Sequence, residues 1–387
     1  MTKPIDQALF HAIREAEFPW TADTIYMDNA AIGPLPERTR RFLEDFARRR
    51  AAPHLLDPAQ LHDSLQEARM VVARLINART DEIGLATNTS FGLNVAARSL
   101  PLQAGDTVLV SEGEFPANVY PWLRLREGGI NVELAPTAAT GWPDEDYLLE
   151  RLQDPAVRAL AVSLVQFSNG YRADLSRLGR ACREEGCFLI VDGIQAIGQV
   201  PFDIQETPVD ILACGAQKWL LSPWGSGFLY VRRELLEVLA PPVVGWMAFE
   251  GTEDTSNLTS YTGGLRSDAR RFELNTLPFQ DLIAMTVSIK LLLELGIDLI
   301  AQWLCEVRQP LLESAGRCGM PIVSPTDPNH QSGIVSVLPS RPQEAYSRLR
   351  AAGVFCSLRE GAIRIAPHCY NTPEEMEKVA SILAESG

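Results

Sequence analysis

At roughly 100 to 200 residues per domain, a chain of 387 residues has room for two domains, or three. Hydrophobic residues at 46% and charged residues at 22% exclude collagen-like, mucin-like and wholly disordered chains. A formal net charge of −14, from 35 basic and 49 acidic side chains, repels phosphate backbones and anionic headgroups, so neither nucleic acid nor membrane is an expected partner.

The first stretch, Met1 to Phe18, interrupts its apolar positions with Lys3, Asp6, Arg14, Glu15 and Glu17, which no signal peptide core does. A cytoplasmic protein is expected. Next, Thr87-Asn88-Thr89-Ser90 precedes a helical pattern from Phe91 to Leu100, and hydroxyl and amide donors at a helix start can hold an anion or simply cap the helix. Apolar runs of strand length follow at Thr107 to Ser111, Ile130 to Leu134, Leu160 to Val165, Phe188 to Val191, Ile211 to Cys214 and Phe228 to Val231. Helical patterns lie between several of them; Asp174 to Glu185 repeats Leu175, Leu178 and Cys182 and is closed by Gly186. Alternating strands and helices predict an α/β fold, a mostly parallel sheet covered on both faces.

After Asp281 the pattern changes. Asp281 to Leu304 carries Lys290 and Glu294 and reads as an amphipathic helix, not a membrane span. A tail of shorter elements ends in a helix opened by Thr372 as cap and Pro373 at its first position. The organisation expected is a large domain over residues 21–281 and a smaller one over 282–387.

Seven cysteines without a Cys-x-x-Cys pair fit reduced thiols. His54 and His62 lack the i, i+4 spacing of helical metal ligands, and no metal site is expected.

The chain has only four lysines: Lys3, Lys218, Lys290 and Lys378. Lys218 alone sits in a charge-poor strand-to-loop context, between Ile211-Leu212-Ala213-Cys214 and Trp219-Leu220-Leu221. Such surroundings lower a lysine's pKa and make its amine nucleophilic. One chemistry that demands lysine is the Schiff base to pyridoxal phosphate, whose ring nitrogen needs an acidic partner. Asp192 ends the apolar run Phe188 to Val191, where ligand sites of open α/β sheets gather, although a lone aspartate there also reads as a cap. Gln195 could donate to the cofactor's phenolic oxygen. Arg364, inside Ile363-Arg364-Ile365-Ala366-Pro367, needs an anion, either a substrate carboxylate or an internal acid.

Taken in order, these segments resemble the class V aminotransferase family, the cysteine desulfurase-like branch of fold type I pyridoxal phosphate enzymes. The resemblance runs from Tyr26-Met27-Asp28-Asn29-Ala30-Ala31 through Glu114-Phe115-Pro116-Ala117-Asn118, Ser168-Asn169-Gly170 and Val191 to Gly198. Its most specific part is Gln217 to Tyr230, and it continues through Gly245-Trp246 and Arg271 to Thr276 to Arg364–Thr372. It implies a large domain built on a mostly parallel sheet of the seven-stranded type, a smaller α+β C-terminal domain, and residues 1–20 packed on the latter.

Carried over by position, Lys218 would bind the cofactor covalently and Asp192 would pair with its pyridinium. Gln195 would meet the phenolic oxygen, Thr89 and Ser90 the phosphate, and Phe115 would stack on the ring. Asn169 would contact cofactor or substrate carboxylate and Arg364 that carboxylate; Ala30 and Trp246 would line the substrate side, and Thr276 would reach the phosphate of a partner subunit in a homodimer. Two departures from desulfurases stand out. Gln217 replaces the histidine before the lysine and cannot titrate, and Gly215 replaces a phosphate-binding serine. The stretch Phe355 to Ile363 is too short to extend a nucleophilic loop, so Cys356 reads as a packing residue.

The function expected is an α-amino acid bound as an external aldimine, with Lys218 moving the Cα proton in an aminotransferase-type reaction. β-Elimination by a C-S lyase and epimerisation are the nearest alternatives. Less expected are a cysteine desulfurase, a nicotinamide-dependent dehydrogenase, for which no Gly-x-Gly-x-x-Gly follows a strand, and a non-catalytic homologue.

Overall fold

The computed structural model describes residues 5–385 except 255, 262 and 275. Twelve strands occur among them: β1 (Ile25–Tyr26), β2 (Ile83–Ala86), β3 (Thr107–Ser111), β4 (Asn131–Ala135), β5 (Val157–Ser163), β6 (Phe188–Asp192), β7 (Ile211–Gly215), β8 (Gly227–Val231), β9 (Val335–Val337), β10 (Val354–Phe355), β11 (Ser357–Arg359) and β12 (Ala362–Ile365). Seven form the main sheet in the order β2-β8-β7-β6-β5-β3-β4, in which only β8 runs against its neighbours. The strands β3, β6 and β7 are buried along almost their whole length, as expected of parallel strands covered on both faces. Alternating burial appears only at the edge strand β4.

All six apolar runs read from the sequence are strands of this sheet, with boundaries moved by up to three residues. The seventh, β2, escaped notice because Ile83-Gly84-Leu85-Ala86 is short and interrupted by glycine. That glycine is needed: a Cβ on Gly84 would stand 2.8 Å from the Ala269 carbonyl oxygen.

One expectation needs correction. The stretch read as a single amphipathic helix is two helices, Phe279–Leu295 and Ile297–Cys318, separated by Gly296 at φ +86°. A left-handed residue ends one helix before the next begins. The first of the two is not a surface helix either, because it buries Leu282, Met285, Ser288, Ile289 and Leu292 against Pro58–Ile76 and Glu37–Arg50. The boundary expected at 282 falls inside it. Among the described residues, no helix is long and apolar enough to cross a membrane.

The C-terminal part contains the antiparallel sheet β11-β12-β9. The chain's beginning is woven into it: β1 pairs in parallel with β10, and Asp28 bridges to Ala366. Phe10 stacks on Trp303 at 4.5 Å, and Arg14 donates to the Tyr370 carbonyl and pairs with Glu375 at 2.6 Å. Thr372 caps the last helix in a reciprocal capping box with Glu375.

Candidate active site

The strands β2, β5, β6 and β7 point their carboxyl ends the same way, and the candidate site lies beyond those ends. Lys218 follows β7 in a loop fixed from several directions. The Ala216 amide donates to Ser226, Ser222 returns to the Ala216 carbonyl, and the Gly33 amide takes the Gln217 carbonyl at 2.8 Å. Leu221, fully buried, is held at φ +52°, and its carbonyl accepts from the Ser288 hydroxyl at 2.8 Å. A leucine in that region costs of order 1–3 kcal/mol, so the surrounding hydrogen bonds hold the lysine loop in a shape it would not adopt alone. Burial depresses the Lys218 amine from its usual range to about 8, with Asp192 opposing and Arg364 and Arg359 assisting. Its Nζ stands 5.5 Å from the centre of the Phe115 ring.

Asp192 ends β6 with 2% exposure and accepts the Ile194 amide at 3.0 Å. Burial pushes its carboxyl up to about 7, the Ile194 N–H and Lys218 opposing and Glu114 assisting. The second carboxyl was not singled out as a site residue in the sequence. Glu114 is buried and accepts from the Ser163 amide at 2.7 Å, Gln166 Nε2 at 2.6 Å, Asn118 Nδ2 at 3.0 Å and the Ser163 hydroxyl. Ser163 pairs with Asp192 across β5 and β6, which brings the two acids into one network. Desolvation raises the Glu114 carboxyl above its ordinary range.

A cavity of about 280 Å³ is lined by Lys218, Asp192, Gln195, Thr89, Ser90, Phe115, Ala30 and Arg364, eight of the eleven residues expected at the site. Gln195 donates to the Ala30 carbonyl and accepts from Trp219 Nε1, both at 2.9 Å. Asn88 caps the helix Thr89–Ser99 by accepting the Phe91 amide, leaving the first-turn N–H groups as donors for an anion. The Thr89 hydroxyl accepts the Gly215 amide at 2.8 Å. A Cβ on Gly215 would crowd Gln217 Oε1 at 2.6 Å and Thr89 Oγ1 at 3.1 Å, so glycine there leaves room for both polar side chains.

Of the two partners weighed for it, Arg364 has the internal acid in the structure. Its guanidinium, 2% exposed, donates to the Phe167 carbonyl at 2.7 Å and pairs with Asp28 at 3.3 Å, yet Nε has no partner and the residue lines the cavity.

Three expected residues lie elsewhere in the protomer. Asn169 is buried outside the cavity lining, donating to the Gly141 carbonyl at 3.3 Å and accepting the Tyr171 amide at 2.9 Å. Trp246, 47% exposed, lines a separate cavity of about 650 Å³ with Phe249 and Tyr261. Thr276 is exposed. Cys356 is buried, is absent from the lining, and has its thiol pushed up to about 12 by burial, with Asp28 adding to the shift. The lining also holds Gln217, Phe167 and Arg359; Arg359 carried no signal beyond its place in the hairpin.

His368, fully buried, accepts the Cys369 amide at Nδ1, so Nε2 carries the hydrogen donated to the Trp219 carbonyl at 3.1 Å. Burial lowers its pKa to about 4, so it acts as a neutral strut behind the lysine loop.

The family model for Aminotransferase class-V matches residues 25–379. The chain belongs to the class V aminotransferase family. It is 30% identical over 317 residues to an uncharacterized aminotransferase of Bacillus subtilis, covering 82% of both chains. To a probable cysteine desulfurase of Pyrococcus abyssi it is 28% identical over 392 residues, covering 95% and 96%. In fold it matches a cysteine desulfurase from Thermococcus onnurineus with a TM-score of 0.87 at 22% identity, covering 99% of this chain and 98% of that one. This class V protein is an enzyme of the fold type I class, and its cofactor is pyridoxal phosphate. The cavity's residues fit that group: one depressed lysine amine, one buried carboxyl, helix-start donors and an aromatic face.

Proposed function

We propose that this class V enzyme acts on an α-amino acid in an aminotransferase-type reaction. The observation that carries the reading is that Lys218 and Arg364 line one cavity with Asp192, while among the described residues no cysteine lines it. Pyridoxal phosphate, when bound, supplies the electron sink for a Cα carbanion and carries the amino group. Lys218 would hold the cofactor and, as a neutral amine, take the proton from Cα at Nζ. Asp192 would keep the ring nitrogen protonated, with Glu114 behind it, and Gln195 would donate to the phenolic oxygen. Thr89 and Ser90 would hold the phosphate, and Phe115 would cover the ring. Arg364 would orient the substrate carboxylate beside Ala30. Asn169 would act indirectly, two residues along from Phe167, which lines the cavity and whose carbonyl accepts from Arg364.

The enzyme is further proposed to work in the cytoplasm, as the seven free thiols support. A homodimer is proposed too, in which exposed Thr276 and Trp246 serve the partner's cavity; sedimentation of an active species at the monomer mass would overturn it.

The reaction is tested with holoenzyme and a panel of amino acids in deuterated water. Transamination releases a 2-keto acid and leaves the cofactor in its amino form; elimination releases ammonia; epimerisation puts deuterium on inverted Cα. Ammonia release or inverted Cα with the cofactor left in its aldehyde form, or a panel that produces none of these, would overturn the reading.

A further inference from the structure

The cavity holds one more cation than its proposed chemistry uses. Its lining includes Lys218, Arg364 and Arg359 against the single acid Asp192. Lys218 and Arg364 have roles in the proposed function, and Arg364 is already paired with Asp28. Arg359 has neither. At the exposed end of β11, its side chain makes, among the described residues, one hydrogen bond, to the Leu358 carbonyl at 3.2 Å, and no ion pair.

Its position is set by the hairpin. The strands β11 and β12 are joined by only Glu360 and Gly361, at φ +46° and +80°, and two residues of positive φ make the tight turn that suits a right-twisted hairpin. This turn fixes the register Ser357↔Arg364 and Arg359↔Ala362. Because side chains alternate along a strand, Arg359 shares a face with Ser357, and therefore with Arg364 on the diagonal. Two guanidinium groups are thus presented to one cavity from one rigid hairpin. Like charges facing one cavity repel, and Arg359, which has no counterpart to the Asp28 of Arg364, gains an ionic partner when an anion sits beside it. The cofactor phosphate has its own donors at the start of the helix Thr89–Ser99.

We propose that Arg359 recognises a second carboxylate, so that the preferred substrate is an amino acid whose side chain ends in a carboxylate. This rests on the reading in which Arg364 takes the first. A planar guanidinium fork suits the two oxygens of a carboxylate.

Succinate and butyrate, equal in carbon number and unable to react, are titrated calorimetrically into holoenzyme. Succinate is expected to bind about tenfold or more tightly than butyrate, the size of one charge-assisted pairing. In Arg359→Gln that ratio falls to near one, and Arg359→Lys restores part of it. Equal binding of the two acids by the unaltered enzyme, binding of neither, or a preference that survives in Arg359→Gln overturns the inference. So does a loss of cofactor affinity in Arg359→Gln with the ratio intact, which would assign the arginine to the phosphate. The amino acid panel in deuterated water reports separately on the proposed function, so a reactive enzyme without the dicarboxylate preference refutes this inference alone.

Discussion

The carbonyl oxygen of Lys218 lies 2.1 Å from the point where a Cβ on Gly33 would stand. Residue 33, near the start of the sequence, is therefore a glycine because the backbone of Lys218 occupies its side-chain space. The contact is doubled by the hydrogen bond from the Gly33 amide to the Gln217 carbonyl.

Gly33→Ala is expected to lower stability by about 1–3 kcal/mol, the usual cost of overpacking, and to push the lysine loop from its place. Thermal unfolding reads the first effect, and the rate of borohydride trapping of cofactor on Lys218 reads the second. An alanine variant with wild-type Tm and trapping would mean that the loop yields freely.

Lys218→Ala should abolish covalently trapped cofactor, while Lys290→Ala, which removes an exposed amine paired with Glu67 at 2.5 Å, should leave it on Lys218. Peptide mapping of the reduced adduct decides. Cofactor found on any other lysine contradicts the assignment.

Asp192 predicts opposite effects on stability and activity. Its carboxyl is raised in the folded protein from 3.8 to about 7, so ionising it works against folding. The penalty is absent below pH about 4, grows as pH rises toward 7, and is complete above, reaching roughly 4 kcal/mol for a shift of this size. Cofactor-free Asp192→Asn should therefore melt higher than the unaltered apoprotein at pH 8, with the gap closing toward pH 4. The loaded variant should lose activity by orders of magnitude, because an amide cannot hold a ring nitrogen protonated. A Tm gap that ignores pH would place the cost of burial elsewhere.

Cys356→Ala is expected to retain most turnover on the enzyme's own substrate, since the thiol is 4% exposed and stays protonated at neutral pH. Assay beside the unaltered enzyme, with persulfide labelling after incubation with cysteine, is the check. Labelled Cys356 together with an inactive variant would require desulfuration instead.

The parts of the site that were legible before the structure are those whose chemistry contradicts their surroundings. A lone lysine in an apolar loop, an aspartate closing an apolar strand and an arginine inside another each demand a partner, and Lys218, Asp192 and Arg364 do line one cavity. Glu114 was not legible as part of the site because its role comes from Ser163 and Gln166, 49 and 52 positions away, which only packing brings near. Arg359 reads as an ordinary surface charge until the register of its hairpin is known. The sheet was readable for a related reason: strands buried on both faces leave continuous apolar runs, whereas β2 carries a glycine for close packing and leaves none.

The pairing of Arg364 with Asp28 spans 336 positions, and β1 finds its strand partner in β10. During synthesis at about 5–20 residues per second, Asp28 leaves the ribosome some tens of seconds before Arg364 is made. Throughout that interval the strand that ends at Asp192 and the strand that leads into the Lys218 loop can assemble, but the side of the cavity that holds Arg364 cannot. Ribosome-bound chains stopped short of β10 should therefore hold the formed Asp192 and Lys218 side of the cavity facing an unfinished wall, with the edge of β1 open to chaperones or to a neighbouring nascent chain.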